Sequence, residues 1–328
     1  CLRCSFEGAA VVVADRDTAR SQAVVDDVTA TDGSATAREQ GVPSTVVTEQ
    51  QQDATFTLLV DGVDFGEGPR WRDGALWYSD FYQQRVYRVT PDGERHTVVE
   101  IDDRPSGLGW LPSGDLLIVA MTSRRVLRYD GETVTEHADL SDLTVDKCND
   151  MVVDSAGNAY VGHFGFDLEA GADYAAASLV LVRPDGSAEI AADNIAFPNG
   201  SVITPDHTTL IVGQSFGGSY VAFDIAADAT LSNRREWAVI PGTAPDGCAQ
   251  DSEGGIWFSD ARGSQVVRVL EGGQVTHRIA TPQPTFACEL GGPTGHTLFV
   301  LTSQSADPRQ VAGSGAGAIY SLEVDVPA

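Results

Sequence analysis

The sequence predicts an all-β fold, a six-bladed β-propeller, from two observations. A short motif recurs six times, and each copy opens an apolar strand pattern. Successive copies begin 39, 43, 50, 47 and 40 residues apart, which is close to the roughly 40–50-residue period of propeller blades. The first residues of the six motifs are Glu67, Ser106, Asn149, Asn199, Asp246 and Phe286.

Each repeat contains the same succession of predicted strands. The motif starts the first strand, a more apolar second strand follows, as at 76–79, and a third strand alternates, as at 126–129. Asp-Gly and Gly-Gly pairs mark the tight turns between them, and a weaker fourth strand ends several repeats. The propeller is predicted over residues 54–328, and segment 56–60 supplies the outer strand of the last blade, so that the closed ring protects its sheet edges.

Residues 1–53 lie outside the repeat and predict a short α/β-like appendage. Segment 9–15 has a strand pattern, 18–31 has helical spacing, and 40–53 is a polar linker. The piece resembles a fragment of a short-chain dehydrogenase. No glycine-rich phosphate loop precedes it, so we expect no dinucleotide site there.

The bulk composition excludes several classes of partner. The 47 acidic residues outnumber the 21 basic ones, for a net charge of −26, and this argues against nucleic acid, which attracts basic surfaces. No apolar run approaches the roughly 18 residues of a membrane helix, and no signal-peptide pattern is visible. We expect a cytoplasmic protein, although the sequence begins with Cys1 rather than Met. The oligomeric state is left open.

The five cysteines fit no zinc-ligand spacing. Cys248 and Cys288 share one phase in consecutive repeats. They are either neighbours that pair or buried free thiols.

The motif residues form a candidate metal site. First strands line the channel of a propeller, so the residues that begin them converge at one mouth. Glu67, Asn149, Asn199 and Asp246 offer carboxylate and amide oxygens, which suit Ca²⁺, Mg²⁺ or Mn²⁺, and Zn²⁺ also accepts carboxylates. Taken singly, Asn199-Gly and Asp246-Gly are also typical turn dipeptides. Four oxygen ligands at one phase of the repeat favour the shared site.

The repeats resemble the gluconolactonase, senescence-marker-protein (regucalcin) and luciferin-regenerating-enzyme family over residues 55–328. The resemblance rests on G-E-G-P at 66–69 with Trp71, K-C-N-D at 147–150, F-P-N-G at 197–200 and P-D-G at 245–247. It implies one divalent metal ion held by Glu67, Asn199 and Asp246.

The same resemblance implies substrate-binding residues. It places Asn149 beside metal and substrate, and it matches Asp167 to an acidic loop residue of some members. Several members have a substrate-contacting Arg where this chain has Lys147, its only lysine, and lysine keeps the charge but loses the planar fork. His163 is predicted near the mouth, with an ordinary loop histidine as the alternative.

These residues predict a metal-dependent hydrolase of lactone-type esters acting on a small molecule. The metal (Ca, Zn, Mn or Mg) would polarise the carbonyl and activate the attacking water, with Asp246 as general base and Lys147 and Asn149 steadying the oxyanion. One alternative is an organophosphate or aryl-ester hydrolase on the same site, and another is a non-catalytic propeller that binds a metal or small ligand. The G-Q-S-F-G run at 213–217 lacks the strand–turn–helix context of a serine nucleophile.

Two long loops, 164–178 and 303–317, are predicted to cover the mouth and shape substrate choice. Phe164, Phe216 and Phe286 lie near it in the predicted fold. They favour a substrate less hydrophilic than a simple aldonolactone.

Overall fold

The computed structural model describes residues 50–51 and 54–328, whose strands form six sheets. The predicted strand at 9–15 and helix at 18–31 lie outside the described residues, and the boundary between residues 53 and 54 stays a prediction. Within the described part of the chain, no helix is long and apolar enough to cross a membrane.

The first half of the described chain holds two leading strands and three four-stranded blades. The leading strands are β1 (Gln50–Gln51) and β2 (Thr57–Val63). Blade 1 contains β3 (Gly66–Arg72), β4 (Ala75–Asp80), β5 (Arg85–Val89) and β6 (Arg95–Glu100). Blade 2 contains β7 (Pro105–Trp110), β8 (Leu116–Ala120), β9 (Arg125–Tyr129) and β10 (Val134–Asp139). Blade 3 contains β11 (Cys148–Val153), β12 (Ala159–His163), β13 (Ala177–Val182) and β14 (Ala188–Ile195).

The second half repeats the pattern. Blade 4 contains β15 (Pro198–Ile203), β16 (Thr209–Gln214), β17 (Ser219–Ile225) and β18 (Leu231–Val239). Blade 5 contains β19 (Pro245–Gln250), β20 (Ile256–Asp260), β21 (Gln265–Val269) and β22 (Val275–Ala280). Blade 6 contains β23 (Thr285–Gly291), β24 (Thr297–Thr302) and β25 (Gly317–Glu323), with the short helix α1 (Pro308–Val311) between the last two. The six-bladed prediction is confirmed.

The ring closes through β2, which joins the sheet of blade 6. It pairs antiparallel with β25, with Thr57 opposite Ser321 and Leu58 opposite Tyr320. The predicted outer strand of the last blade is therefore confirmed. Within the predicted linker, Gln50–Gln51 form β1, which pairs parallel with β22 on the edge of blade 5, where an exposed strand offers unpaired backbone groups.

Apolar side chains from facing sheets fill the space between blades. Val119 and Val126 of blade 2 pack in one cluster with Met151 and Val161 of blade 3, and the other neighbouring blades share similar clusters. Because both faces of an inner blade strand are covered, the second strands have continuous apolar runs, with all five residues of β8 buried.

Neighbouring blades lie in close contact at the glycine that follows the motif residue in four of the six blades. A Cβ atom on Gly107 would lie 2.3 Å from the backbone nitrogen of Met151, and one on Gly200 would lie 2.3 Å from the carbonyl oxygen of Asp246. Asn199-Gly200 and Asp246-Gly247 lie inside β15 and β19. The turn interpretation of these dipeptides is therefore wrong, and glycine is needed for the contact between blades.

Replacing Gly107 with alanine is expected to destabilise the propeller by about 1–3 kcal/mol, the usual cost of overpacking. The change adds a methyl group against backbone that cannot move without separating two blades. Urea unfolding followed by tryptophan fluorescence measures the effect. Gly263→Ala is the matched control, because its nearest atoms are side-chain ends at 3.1 and 3.3 Å. Equal stability of the two variants would contradict the close-approach explanation.

Candidate active site at the channel mouth

The six motif residues lie at equivalent positions and are all buried, with 1–8% of their surface exposed. In every blade the pairing between first and second strands shifts register at the motif. A bulge of this kind breaks the strand alternation and re-aims a side chain. The recurring motif is thus the local sequence of a recurring bulge.

Three of the predicted metal ligands accept the same local hydrogen bond. The amide N–H of Gly68 donates to Glu67 Oε2 (3.3 Å), that of Gly200 to Asn199 Oδ1 (3.0 Å), and that of Gly247 to Asp246 Oδ1 (3.0 Å). A carboxylate or amide oxygen has a second lone pair free for a cation. One hydrogen bond therefore orients each oxygen and leaves its second lone pair available.

Ser215 positions Asn199, a role that the sequence analysis missed. Asn199 Nδ2 donates to Ser215 Oγ at 3.2 Å, and Ser215 Oγ donates to the carbonyl oxygen of Pro245 at 2.6 Å. Because these bonds hold the Asn199 amide nitrogen against Ser215, the amide oxygen Oδ1 points the other way and serves as the acceptor. The serine of the G-Q-S-F-G run is thus engaged with the motif residues of blades 4 and 5.

The charges at the mouth do not balance. Burial raises the pKa of Glu67, and the neighbouring Asp246 and Asp150 raise it further. Burial also raises the pKa of Asp246. Arg70 lies near but pairs with Asp150 at 3.0 Å. When ionised, Glu67, Asp150 and Asp246 exceed the single charge of Arg70 by two, and Arg70 also interacts with the nearby Glu289. Burying this excess negative charge is costly unless protons or a cation compensate it.

A divalent cation fits this donor set. It would neutralise the two excess charges, and the oxygens of Glu67, Asn199 and Asp246 are hard ligands. No group of three histidine, cysteine, aspartate or glutamate side chains suited to a metal occurs in residues 54–328. The candidate ligands at this site are two carboxylates and an amide, and an amide side chain does not count towards a group of that kind.

The structure brings Lys147 and Asp167 together. Lys147 Nζ lies 3.5 Å from Asp146 Oδ1, 3.6 Å from Glu169 Oε2 and 4.0 Å from Asp167 Oδ1. Asn149, two residues along in β11, is 7% exposed. The substrate-binding roles of Asn149, Lys147 and Asp167 stay predictions.

His163 ends β12 and is only 2% exposed. Its Nδ1 accepts the N–H of Gly165 at 3.1 Å, and its Nε2 lies 3.0 Å from Ser178 Oγ. Burial lowers the pKa of His163 to about 4. The neutral ring therefore ties together the two ends of loop 164–176, and its predicted contact with substrate stays a prediction.

Aromatic side chains form two groups around the mouth. Phe197 packs against Phe164 with ring centroids 4.7 Å apart and against Phe216 at 5.0 Å. Phe286 packs against Phe65 at 4.7 Å. These contacts give the mouth apolar walls on the sides of blades 1, 4 and 6.

A second ring of equivalent positions surrounds the first, two residues before each motif residue. Its carbonyl oxygens accept the N–H of the residue that starts the loop after the second strand, at 2.9–3.2 Å in all six blades. The ring consists of Phe65, Arg104, Lys147, Phe197, Ala244 and Pro284. Sequence analysis singled out Lys147 but missed Arg104, although aligning the repeats on their motif residues places both at this position.

Among the described residues, the structure shows whether the cysteines form a disulfide. Cys148, Cys248 and Cys288 are free and buried. Cys288 Sγ lies 3.4 Å from the carbonyl oxygen of Gly247 and 3.5 Å from that of Trp257. The free-thiol alternative is therefore the one observed.

His163 is expected to make the protein acid-sensitive. Since its pKa is about 4 when folded against 6.5 unfolded, the unfolded chain takes up the proton first. His163 contributes on the order of 3 kcal/mol to the free energy of unfolding. This contribution is fully present above pH 6.5 and is lost as the pH falls towards 4. Urea unfolding at several pH values measures it. His163→Gln should flatten the slope, His96→Gln on exposed β6 should not, and equal slopes would refute the assignment.

Comparisons with known proteins place the chain in a family. The family model described as SMP-30/Gluconolactonase/LRE-like region matches residues 65–304. A regucalcin of Gallus gallus is 26% identical over 76% of this chain and 87% of its own length. A 6-deoxy-6-sulfogluconolactonase of Pseudomonas putida is 24% identical over 80% and 92%.

Solved structures show the same fold. A luciferin-regenerating enzyme superimposes with a TM-score of 0.72 at 20% identity, covering 84% of this chain and 97% of its own. A regucalcin of Agrobacterium tumefaciens, described as a calcium-binding protein, has a TM-score of 0.70 at 20% identity and covers 84% and 95%. The family model spans most of the propeller, and the chain therefore belongs to the SMP-30/gluconolactonase/LRE-like family.

Proposed function

We propose that the protein is a divalent-metal-dependent hydrolase of lactone-type esters. The observation that carries the proposal is the set of buried oxygen donors at the channel mouth: the carboxylates of Glu67 and Asp246 and the amide of Asn199, each of which accepts the N–H of the glycine that follows it. Membership of a family that includes gluconolactonases supports lactone hydrolysis as the broad activity. One relative is named for a sulfogluconolactone.

In this proposal Glu67, Asn199 and Asp246 hold the ion. When bound, a divalent metal polarises the carbonyl of an ester and acidifies water. Oxygen-only ligands favour Ca²⁺, Mg²⁺ or Mn²⁺, and Zn²⁺ stays among the candidates because it accepts carboxylates. A relative of this fold is described as calcium-binding, so calcium is the first ion to test.

The remaining steps belong to the side chains. Asp246 keeps one oxygen on the N–H of Gly247, and its second oxygen takes the proton of the attacking water as general base. Asn149 donates to the carbonyl oxygen and steadies the charge that develops on it, and Lys147 donates to other substrate oxygens. The aromatic walls limit the access of bulk water to the bound substrate.

Aryl esters and organophosphates form a second candidate substrate class. The packed rings of Phe164, Phe197 and Phe216 favour it, because an aromatic leaving group stacks well on such a wall. A panel of sugar lactones, aliphatic lactones, aryl esters and aryl phosphotriesters ranks the classes. If no member turns over with any of the four metals, the protein is a non-catalytic binder.

Exhaustive chelation is expected to abolish hydrolysis, and Ca²⁺, Mg²⁺, Mn²⁺ or Zn²⁺ to restore it. Glu67→Gln and Asp246→Asn should each lower kcat/KM by more than the roughly 10–100-fold typical for outer partners of metal ligands. Activity that survives chelation would overturn the metal requirement.

Stability in the absence of metal gives an independent check. Removing one of two repelling buried carboxylates should make metal-free Glu67→Gln more stable than metal-free wild type, while excess Ca²⁺ should stabilise wild type and leave the variant unchanged. Thermal unfolding with and without Ca²⁺ measures both effects. Ser106→Ala changes a motif residue with no proposed ligand role, so it should keep the wild-type response to Ca²⁺.

A further inference from the structure

Two cations lie side by side on the rim of the mouth. Arg104 and Lys147 occupy the same position in blades 2 and 3, whereas the other four residues at this position are Phe65, Phe197, Ala244 and Pro284. The rim is therefore cationic over two adjacent blades and apolar elsewhere. A ligand entering this mouth meets positive charge on one side only.

Both cations contact one carboxylate of the covering loop. Arg104 Nη1 lies 2.7 Å from Glu169 Oε1, and Lys147 Nζ lies 3.6 Å from Glu169 Oε2. Each oxygen of the carboxylate thus faces a different cation. This arrangement is a carboxylate site that the chain fills with its own side chain.

The two cations are held in place, while Glu169 is held loosely. The Arg104 guanidinium lies over the Tyr82 ring at 5.1 Å, and the Lys147 side chain is only 12% exposed. Glu169 belongs to a turn in which residues 167–176 are all exposed. The Glu169 side chain itself is 36% exposed. Because ion pairs that reach solvent contribute about 1 kcal/mol, a ligand carboxylate can displace Glu169 at modest cost.

Nearby acids do not close the site. Asp103 accepts the backbone N–H groups of Arg104, Thr122 and Ser123, so its oxygens are already bound. Asp146 stays 3.5 Å from Lys147, whereas Asp167, on the loop at 4.0 Å, would leave with Glu169. Displacement of the turn therefore removes Glu169 from both cations, while Asp146 remains beside Lys147.

We infer that Arg104 and Lys147 bind a carboxylate of the substrate, and that Glu169 is an internal occupant which this carboxylate displaces. The inference deepens the proposed function and rests on it, since it assigns the substrate class of the same mouth as carboxylate-bearing lactones. The aromatic side of the rim would take the uncharged part of the ligand.

Kinetics with two matched lactones test the inference. The γ-lactones of D-gluconate and D-glucarate differ only in a terminal hydroxymethyl group against a carboxylate. Glu169→Gln should lower KM for the glucarate lactone about fivefold, because the ligand carboxylate no longer competes with an internal one, and leave KM for the gluconate lactone unchanged. Arg104→Gln should lower the preference for the glucarate lactone about tenfold. A Glu169→Gln effect that is equal for both lactones would show a merely structural loop contact and overturn the inference.

Glu136→Gln is the control, because it removes a similar ion pair, Arg125 to Glu136 at 2.8 Å, from the outer strand of blade 2. This variant should change KM for neither lactone.

Direct binding separates the inference from the proposed function. Methyl glucuronide and methyl glucoside are not lactones, and calorimetry should show tighter binding of the glucuronide, strengthened by Glu169→Gln and weakened by Arg104→Gln. If this preference is found but neither lactone is hydrolysed, the lactonase proposal fails and the carboxylate site stands. If lactones are hydrolysed but the glucuronide binds no better than the glucoside in any variant, the carboxylate site is wrong.

Discussion

The structure depends on the close approach of six inner strands around one axis. At the motif, glycine lets neighbouring backbones meet at distances that a methyl group would prevent, as Gly107 does beside Met151 and Gly200 beside Asp246. At the motif the pairing between first and second strands also shifts register in every blade, so the motif residue leaves the strand alternation. The same residues therefore determine both the packing between blades and the direction in which the motif side chains point.

This geometry concentrates charge. Glu67, Asp150 and Asp246 are buried near one another, and Arg70 is engaged with Asp150. Burying like charges costs stability, and natural proteins retain such arrangements at binding sites. The short hydrogen bonds to Gly68, Gly200 and Gly247 orient the oxygens and leave lone pairs for a ligand. The unfavourable electrostatics and the free lone pairs both fit a divalent cation.

Around the motif residues, the outer ring of six positions is divided into an apolar and a cationic part. Apolar residues occupy four positions of the outer ring and cations occupy two. Loop 164–176 joins these halves, since Tyr174 stacks on Phe216 at 5.8 Å while Glu169 reaches Arg104 and Lys147. His163 anchors the base of this loop through Gly165 and Ser178. In the proposed function, metal binding and ligand preference therefore rest on separate sets of residues.

The sequence by itself determined the number of blades, their strands and the closure through β2, because repeat period and strand alternation are local signals. It also determined the positions of Glu67, Asn199 and Asp246 within their repeats. Only the tertiary structure decided that Asn199-Gly200 and Asp246-Gly247 are strand bulges, since the need for glycine there comes from another blade. The roles of Ser215 and Arg70 and the meeting of Arg104 with Glu169 also appear only on folding. Their partners lie 16, 80 and 65 residues away, a distance over which sequence periodicity carries no information about side-chain contacts.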